Sequence, residues 1–487
     1  MPSHESSISQ WQEAMERGML TSRELTISFL QRISRYDKQG VTINAISEIN
    51  PDALHIADAL DRERAVSGSR GPLHGIPVLI KDNIATLDSM HTTAGSLALA
   101  DSYASHDAFL VTRLRQAGAV ILGKTNLTEW ANFISDHMPN GYSSRGGQVL
   151  NPYGPGRFDV GGSSSGSGAA IAAGFAVVAV GTETSGSILN PSVHNSLVGI
   201  KPTVGLISRN GIIPIATSQD TAGPMARTVE DAAILLGVLA GFDPQDPATG
   251  RSVGLAPNDY RPYLDPNGLQ GTRIGIVRSH YLDKYDSEDQ ALYDAAIAHL
   301  EQAGATIVDP VTIPSEKADW NNLVLIYEFK SGLNAYLKTL NPDFPLRTLQ
   351  DVLKWNEQHA EQALRYGQAL FEQAERTSGT LTEPEYLNQR LYDLKMSRAN
   401  GIDAVLQEHQ LDCLLFPNSS GAGIAAKAGY PSVCVPAGYR STGKPFGVTF
   451  TGTAFSEPTL IKAAYAFEQA SLLRRPPAIS GPQEADA

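Results

Sequence analysis

Two cysteines in 487 residues, Cys413 and Cys434, rule out a disulfide framework. Both sit in apolar runs ("DCLLFP", "SVCVPAG"), so buried reduced thiols are expected and nothing asks for an oxidising compartment. Positive charge is also scarce: 38 Lys and Arg face 51 Asp and Glu, a net charge of −13 with no basic stripe. That excludes a nucleic-acid binder working by phosphate neutralisation. Long apolar runs are missing as well. The longest, "AAIAAGFAVVAVG" from Ala169, falls short of the about 20 residues a bilayer span needs. The stretch "MPSHESSISQWQEAMERG" mixes charged and polar residues and has no apolar core of a secretory signal, so a cytoplasmic location is expected. Neither H-E-x-x-H nor C-x-x-C occurs, so no metal site is expected.

What is present is the texture of a soluble α/β enzyme, with 42% hydrophobic and 18% charged residues. "LTSRELTISFLQRISRY" sets Thr21 and Glu24 in capping-box spacing and lines Leu25, Phe29, Leu30 and Ile33 along one helix face. Strand-like and helix-like segments then alternate. "IPVLIK", ending at Lys81, and "GAVILGKT", near Lys124, read as buried strands, with the amphipathic helix "DAFLVTRLRQAG" between them. Helix is expected from Ala169 to Ala173 and strand at "FAVVAVG", then strands at "RIGIVR", "ATIVDP", "DCLLFP", "SVCVPAG" and "FGVTFTG". Residues 312–410 change to long polar-amphipathic helices such as "TLQDVLKWNEQHAEQALRYGQALFEQAERT". No low-complexity linker flanks that segment, so it reads as a helical insertion or cap within a single domain, residues 1–487. The fold class is α/β with a largely buried sheet.

The stretch "VGGSSSGSGAA", Val160 to Ala170, holds four serines, four glycines and no charge. A flexible linker is disfavoured because the stretch runs straight into an alanine-rich helix. A phosphate loop would need Lys-Ser or Lys-Thr after the last glycine, or a G-x-G-x-x-G register, and has neither. Gly162 to Gly166 satisfies G-x-S-x-G with Ser164 as nucleophile, but the elbow must leave a strand and "NPYGPGRFDV" makes a poor one. None of His194, His299, His359 and His409 has a context that marks it as the base. "STGK", Ser441 to Lys444, mimics S-x-x-K yet reads as a hairpin turn.

Three stretches read together are more specific: "GIPVLIKDNI" with Lys81, "GGSSSGSG" with Ser163, and "GTETSGSI" with Ser187, the two serines 24 residues apart. In this order and spacing they resemble the amidase signature family, serine hydrolases with a Ser–cisSer–Lys triad. "LGKTNLTEWANF", "VGIKPTVGLISRNGIIPI" and "SQDTAGPMART" extend the resemblance through about Val229, and "AGYPSVCVPAG" resumes it weakly. "RGGQVLNPY", "LIYEFKSGL" and "GTAFSEPTLIKAAYAFEQ" are most similar to the peptide-amidase branch, which removes ammonia from peptide C-terminal carboxamides and amino-acid amides.

The resemblance implies a large mixed β-sheet covered by helices on both faces, with the helical insertion in the C-terminal half. It implies that Ser187 attacks the amide carbonyl while Ser163 passes the proton to Lys81, through an acyl-enzyme. A free lysine has a pKa of about 10.4, so a neutral Lys81 near pH 7 means disfavouring its charged form by roughly 4 kcal/mol. Burial at the end of an apolar strand acts in that direction. The bland alternative for Lys81 is an ion pair with Asp82. The resemblance also implies a cis bond between Gly162 and Ser163, support from Ser164, and an oxyanion hole from the amides of Thr184, Ser185, Gly186 and Ser187. Gly186 would fit a turn with no room for a Cβ. Ser185 stands where relatives usually carry Gly or Asp, putting any carboxylate contact to substrate in doubt, and Leu189 replaces an arginine whose salt bridge would be lost. No cofactor and no obligate protein partner are implied. The rivals are an aryl-amide, anilide or carbamate hydrolase with the same triad, an A-type component of an amidotransferase, and a non-catalytic binding module.

Overall fold

The computed structural model describes residues 3–479. Its strands in chain order are β1 (Ile46–Ile49), β2 (Pro77–Lys81), β3 (Val120–Thr125), β4 (Tyr142–Ser143), β5 (Gly147–Gln148), β6 (Val178–Glu183), β7 (Val198–Lys201), β8 (Thr221–Ala226), β9 (Arg273–Val277), β10 (Thr306–Val311), β11 (Cys413–Pro417), β12 (Ser432–Tyr439) and β13 (Pro445–Thr451). β4 and β5 form a small hairpin. The other eleven make one sheet in the order β1-β3-β2-β6-β8-β7-β12-β13-β11-β9-β10. β2 runs parallel to β3 and β6, whereas β6, β8, β7, β12 and β13 alternate antiparallel, so the sheet is mixed as expected. Helices flank it. β2, β3 and β6 are buried at every residue, which is why they read as unbroken apolar runs.

The helix Ser22–Tyr36 carries the reciprocal Thr21–Glu24 capping box and buries Leu25, Phe29 and Ile33, with Leu30 packed at the core's margin. Ser441 to Lys444 turns between β12 and β13, closed by Arg440 N–H donating to the Lys444 carbonyl. Other expectations need correcting. Sequence pattern does not reveal β7 and β8, because "TAGPMA" carries a glycine and a proline where a central strand is expected to have neither. The run from Thr348 to Thr377 is not one long helix but three, Leu349–Gln358, Ala360–Ala363 and Ala369–Glu375, interrupted by Gly367 at φ +75°. The helix after the Ser/Gly stretch starts at Ser165, not Ala169. Its small residues let it lie against backbone: a Cβ on Gly166 would come within 2.4 Å of the Asn126 and Ala45 carbonyl oxygens.

The helical segment does not keep a core to itself. Phe329, Leu333, Leu337, Leu349, Val352 and Phe371 share one apolar cluster with Trp130, Phe133, Ile213 and Ile215. Those last residues come from loops at the carboxyl ends of β3 and β7, so the segment rests on the side of the sheet where Lys81 ends its strand.

Candidate active site

β2 and β6 are parallel neighbours, so their carboxyl ends bring Lys81 beside Thr182. The start of the helix Ser165–Ala172 brings Ser163 to the same point. Lys81 Nζ donates to Ser163 Oγ at 2.8 Å, to Thr182 Oγ1 at 2.9 Å and to the Thr182 carbonyl at 3.2 Å. Asn83 Nδ2 donates to the same Thr182 hydroxyl at 3.0 Å. The amine has no salt-bridge partner among the described residues, and Asp82 turns instead to Thr93 and main-chain amides. Burial pulls the Lys81 pKa down to about 7, against the opposing fields of Glu183 and Asp220.

The peptide bond between Gly162 and Ser163 is cis. A Cβ on Gly162 would lie 2.6 Å from Asn140 Oδ1 and 2.7 Å from Thr128 Oγ1, so only glycine fits. Ser164 is fully buried, its Oγ donating to the Thr182 carbonyl at 3.1 Å and accepting from the Thr182 N–H at 3.2 Å. It braces β6 and offers no accessible nucleophile. His194 is spent on the Asp159 carbonyl and His359 stacks on Trp355, so neither serves a serine.

Ser187 lies on the loop leaving β6. Its carbonyl accepts the Ser164 N–H at 3.1 Å, which ties the two serine loops together. Its hydroxyl makes no hydrogen bond among the described residues. The Lys81–Ser163 hydrogen bond is therefore formed, and none joins the Ser163 and Ser187 hydroxyls. Glu183, which no sequence motif singles out, organises this loop. Its carboxylate accepts the N–H of Gly186 at 2.7 Å, of Ile188 at 2.8 Å and of Leu189 at 3.1 Å. Of the four expected oxyanion donors, Gly186 is thus already committed, while the N–H groups of Thr184, Ser185 and Ser187 have no partner among the described residues. Gly186 is required for its φ of +82° rather than for lack of space, since the nearest atom to an added Cβ is 3.7 Å away. With Leu189 where an arginine was implied, the cation facing Glu183 is the buried Lys201.

A cavity of about 350 Å³ opens beside these groups. Asn83, Thr182, Thr184, Asp220, Ile213 and Tyr336 are among its walls, although Ser187 is not. Asn83 and Tyr336 belong to that wall, and the Asn83 Oδ1 and Tyr336 hydroxyl are buried without hydrogen-bond partners among the described residues. No cluster of three or more His, Cys, Asp or Glu suited to a metal occurs among the described residues, and no helix among them is long and apolar enough to cross a membrane.

The family profile described as Amidase matches residues 24–461. A probable amidase of Arabidopsis thaliana is 43% identical over 97% of this chain and 91% of its own length. The crystal structure of the peptide amidase of Stenotrophomonas maltophilia superposes with a TM-score of 0.91 at 46% identity, covering 98% of this chain and 99% of that one. The A-type component of the glutamyl-tRNA(Gln) amidotransferase of Halorhodospira halophila is 39% identical over 64% of this chain and 61% of its own length.

Proposed function

This chain belongs to the amidase family of amide hydrolases, and from that premise we propose that it cleaves C-terminal peptide amides and amino-acid amides to carboxylate and ammonia through Lys81, Ser163 and Ser187. The observation that carries the reading is the 2.8 Å bond from a fully buried amine with a pKa near 7 to Ser163 Oγ. A serine hydroxyl is a weak nucleophile until a base takes its proton. Neutral Lys81 draws the Ser163 proton, Ser163 draws that of Ser187, and the Ser187 oxygen bonds to the amide carbon. Negative charge gathers on the carbonyl oxygen, where the unpartnered amides of Thr184, Ser185 and Ser187 supply donors. As the C–N bond breaks, the proton returns along the relay and the amine leaves as ammonia. Water then adds to the acyl ester by the same relay and releases the acid.

Ser187→Ala and Lys81→Ala should each abolish ammonia release while the protein still folds, and the wild type should react with a fluorophosphonate probe at Ser187. Labelling at Ser164, or full activity in Ser187→Ala, would overturn the assignment. Anilide or carbamate hydrolysis uses the same residues and remains the second reading. An amidotransferase-type role is less well supported, because the peptide amidase structure is 46% identical over 98% of this chain, whereas the solved amidotransferase A component is 25% identical over the same span.

A further inference from the structure

In the β6–β8 ladder Glu183 pairs with Thr221, so the next position outward sets Thr184 against Asp220. Thr184 Oγ1 donates to Asp220 Oδ1 at 2.5 Å, and Gln219 Nε2 donates to the Thr184 carbonyl at 3.3 Å. The other oxygen of Asp220 accepts the N–H of Ile215 and of Ala216, both at 2.9 Å. One carboxylate therefore joins the first unpartnered amide of the nucleophile loop to the stretch whose Ile212, Ile213, Pro214 and Ile215 wall the cavity, and Asp220 itself lines that cavity. The charged groups around it are Lys81 at the end of β2, Arg209 before the isoleucine stretch, and Glu328 on the helix Leu323–Thr339. Lys81 in turn is faced by Glu183 and Asp220.

We propose that Asp220 is a positioning residue for amide hydrolysis: it aims the Thr184 amide at the reacting carbonyl while its charge faces the Lys81 amine. The inference rests on Lys81 acting as the base. Burial holds the Asp220 carboxyl at a pKa of about 7, so part of its charge is present in the range where Lys81 titrates. Its two tasks separate by mutation. Thr184→Val removes the hydrogen bond and keeps the carboxylate, whereas Asp220→Asn removes the charge and leaves one oxygen for two sets of donors.

With an N-acylated amino-acid amide as substrate, Thr184→Val should lower kcat by about 10- to 100-fold with little change in KM and no movement of the acid limb of the pH profile. Asp220→Asn should lower kcat at least as far and move the acid limb to lower pH by up to about one unit. An unchanged kcat in both variants, a loss confined to KM, or an acid limb that stays put or moves upward in Asp220→Asn overturns the proposal. Should Asp220→Asn fail to fold, Thr184→Val decides, and wild-type kcat in it is fatal. A wild type that neither hydrolyses amides nor labels at Ser187 would instead defeat the proposed function. Active wild type with indifferent variants defeats this inference alone.

Discussion

An ammonium group with no water around it keeps its proton only if a counter-charge or good acceptors replace the lost hydration. Three lysines test this rule in the fully buried interior: Lys81, Lys124 and Lys201, with pKa values lowered by burial to about 7, 8 and 8. Lys124 gives its proton donors to the Ile84 carbonyl and Thr92, and Lys201 donates to the Tyr430 carbonyl. Only Lys81 holds a serine hydroxyl on a loop tied to a second serine, so geometry rather than depressed basicity singles it out. The sign of the pH dependence follows. On the proposed mechanism the neutral amine is the active form, so about a tenth of the enzyme is competent one pH unit below the pKa and about nine tenths one unit above. kcat/KM should climb through pH 7 and level off above pH 8, checked by initial rates across buffers of constant ionic strength. Lys81→Arg should be inactive throughout, because a guanidinium stays protonated. A profile flat from pH 5 to 9 would remove Lys81 as base. Three motifs point to Lys81, Ser163 and Ser187, whose segments the structure brings together, whereas no motif points to the Thr184–Asp220 contact, since only sheet register joins residues 36 positions apart.

The element that presents Ser187 is the short loop between β6 and the helix Leu189–His194, and it is held from inside by a carboxylate. Glu183 gathers three main-chain amides that no helix or strand bond satisfies, so its removal strands buried donors. Glu183→Gln keeps the shape but turns one acceptor into a donor and leaves Lys201 facing only Glu457. Thermal unfolding of that variant should show a loss of about 1–3 kcal/mol, and kcat should fall with it because Gly186 no longer fixes the turn. Wild-type stability would mean the loop is fixed by something other than Glu183. Legibility at this scale tracks residue type rather than burial: β7 and β8 are buried throughout yet escape the pattern, whereas β10 is read although largely uncovered. β2, β3, β9 and β11 announce themselves as apolar runs, while β8 hides Pro224 opposite Val180 in mid-sheet, where proline is seldom expected. The pattern after Thr348 overextends the helix because its polar-apolar spacing continues through Gly367, whose left-handed backbone breaks the run.

Across the whole molecule, the site draws on pieces far apart in the chain. In the proposed mechanism β2 gives the amine, the turn before Ser165 the relay hydroxyl and the loop after β6 the nucleophile, while the stretch 212–220 with the helix Leu323–Thr339 encloses the cavity. The last of these comes from the segment read as a helical insertion, and its shared apolar cluster with Trp130 and Phe133 makes it a wall of the site. The cavity's character then argues for its occupant. Ile212, Ile213, Ile215, Pro214 and Ala335 are apolar, Arg209 is neutralised by Asp246, and Asp220 leaves the balance acidic. Such a cavity favours the neutral or cationic residue of a peptide amide and penalises a free carboxylate near the scissile bond, which would lose hydration without gaining a cation. Ammonia release by the purified chain alone should therefore be strongest with N-acylated apolar amino-acid amides, and weak with free glutamine or with a C-terminal aspartic acid amide. The measurement is kcat/KM across that panel, with a difference of about 10-fold or more expected between apolar and acidic members. Equal rates would place the acyl side of the substrate outside this cavity, and glutamine as the best substrate would transfer the protein to the amidotransferase-like reading.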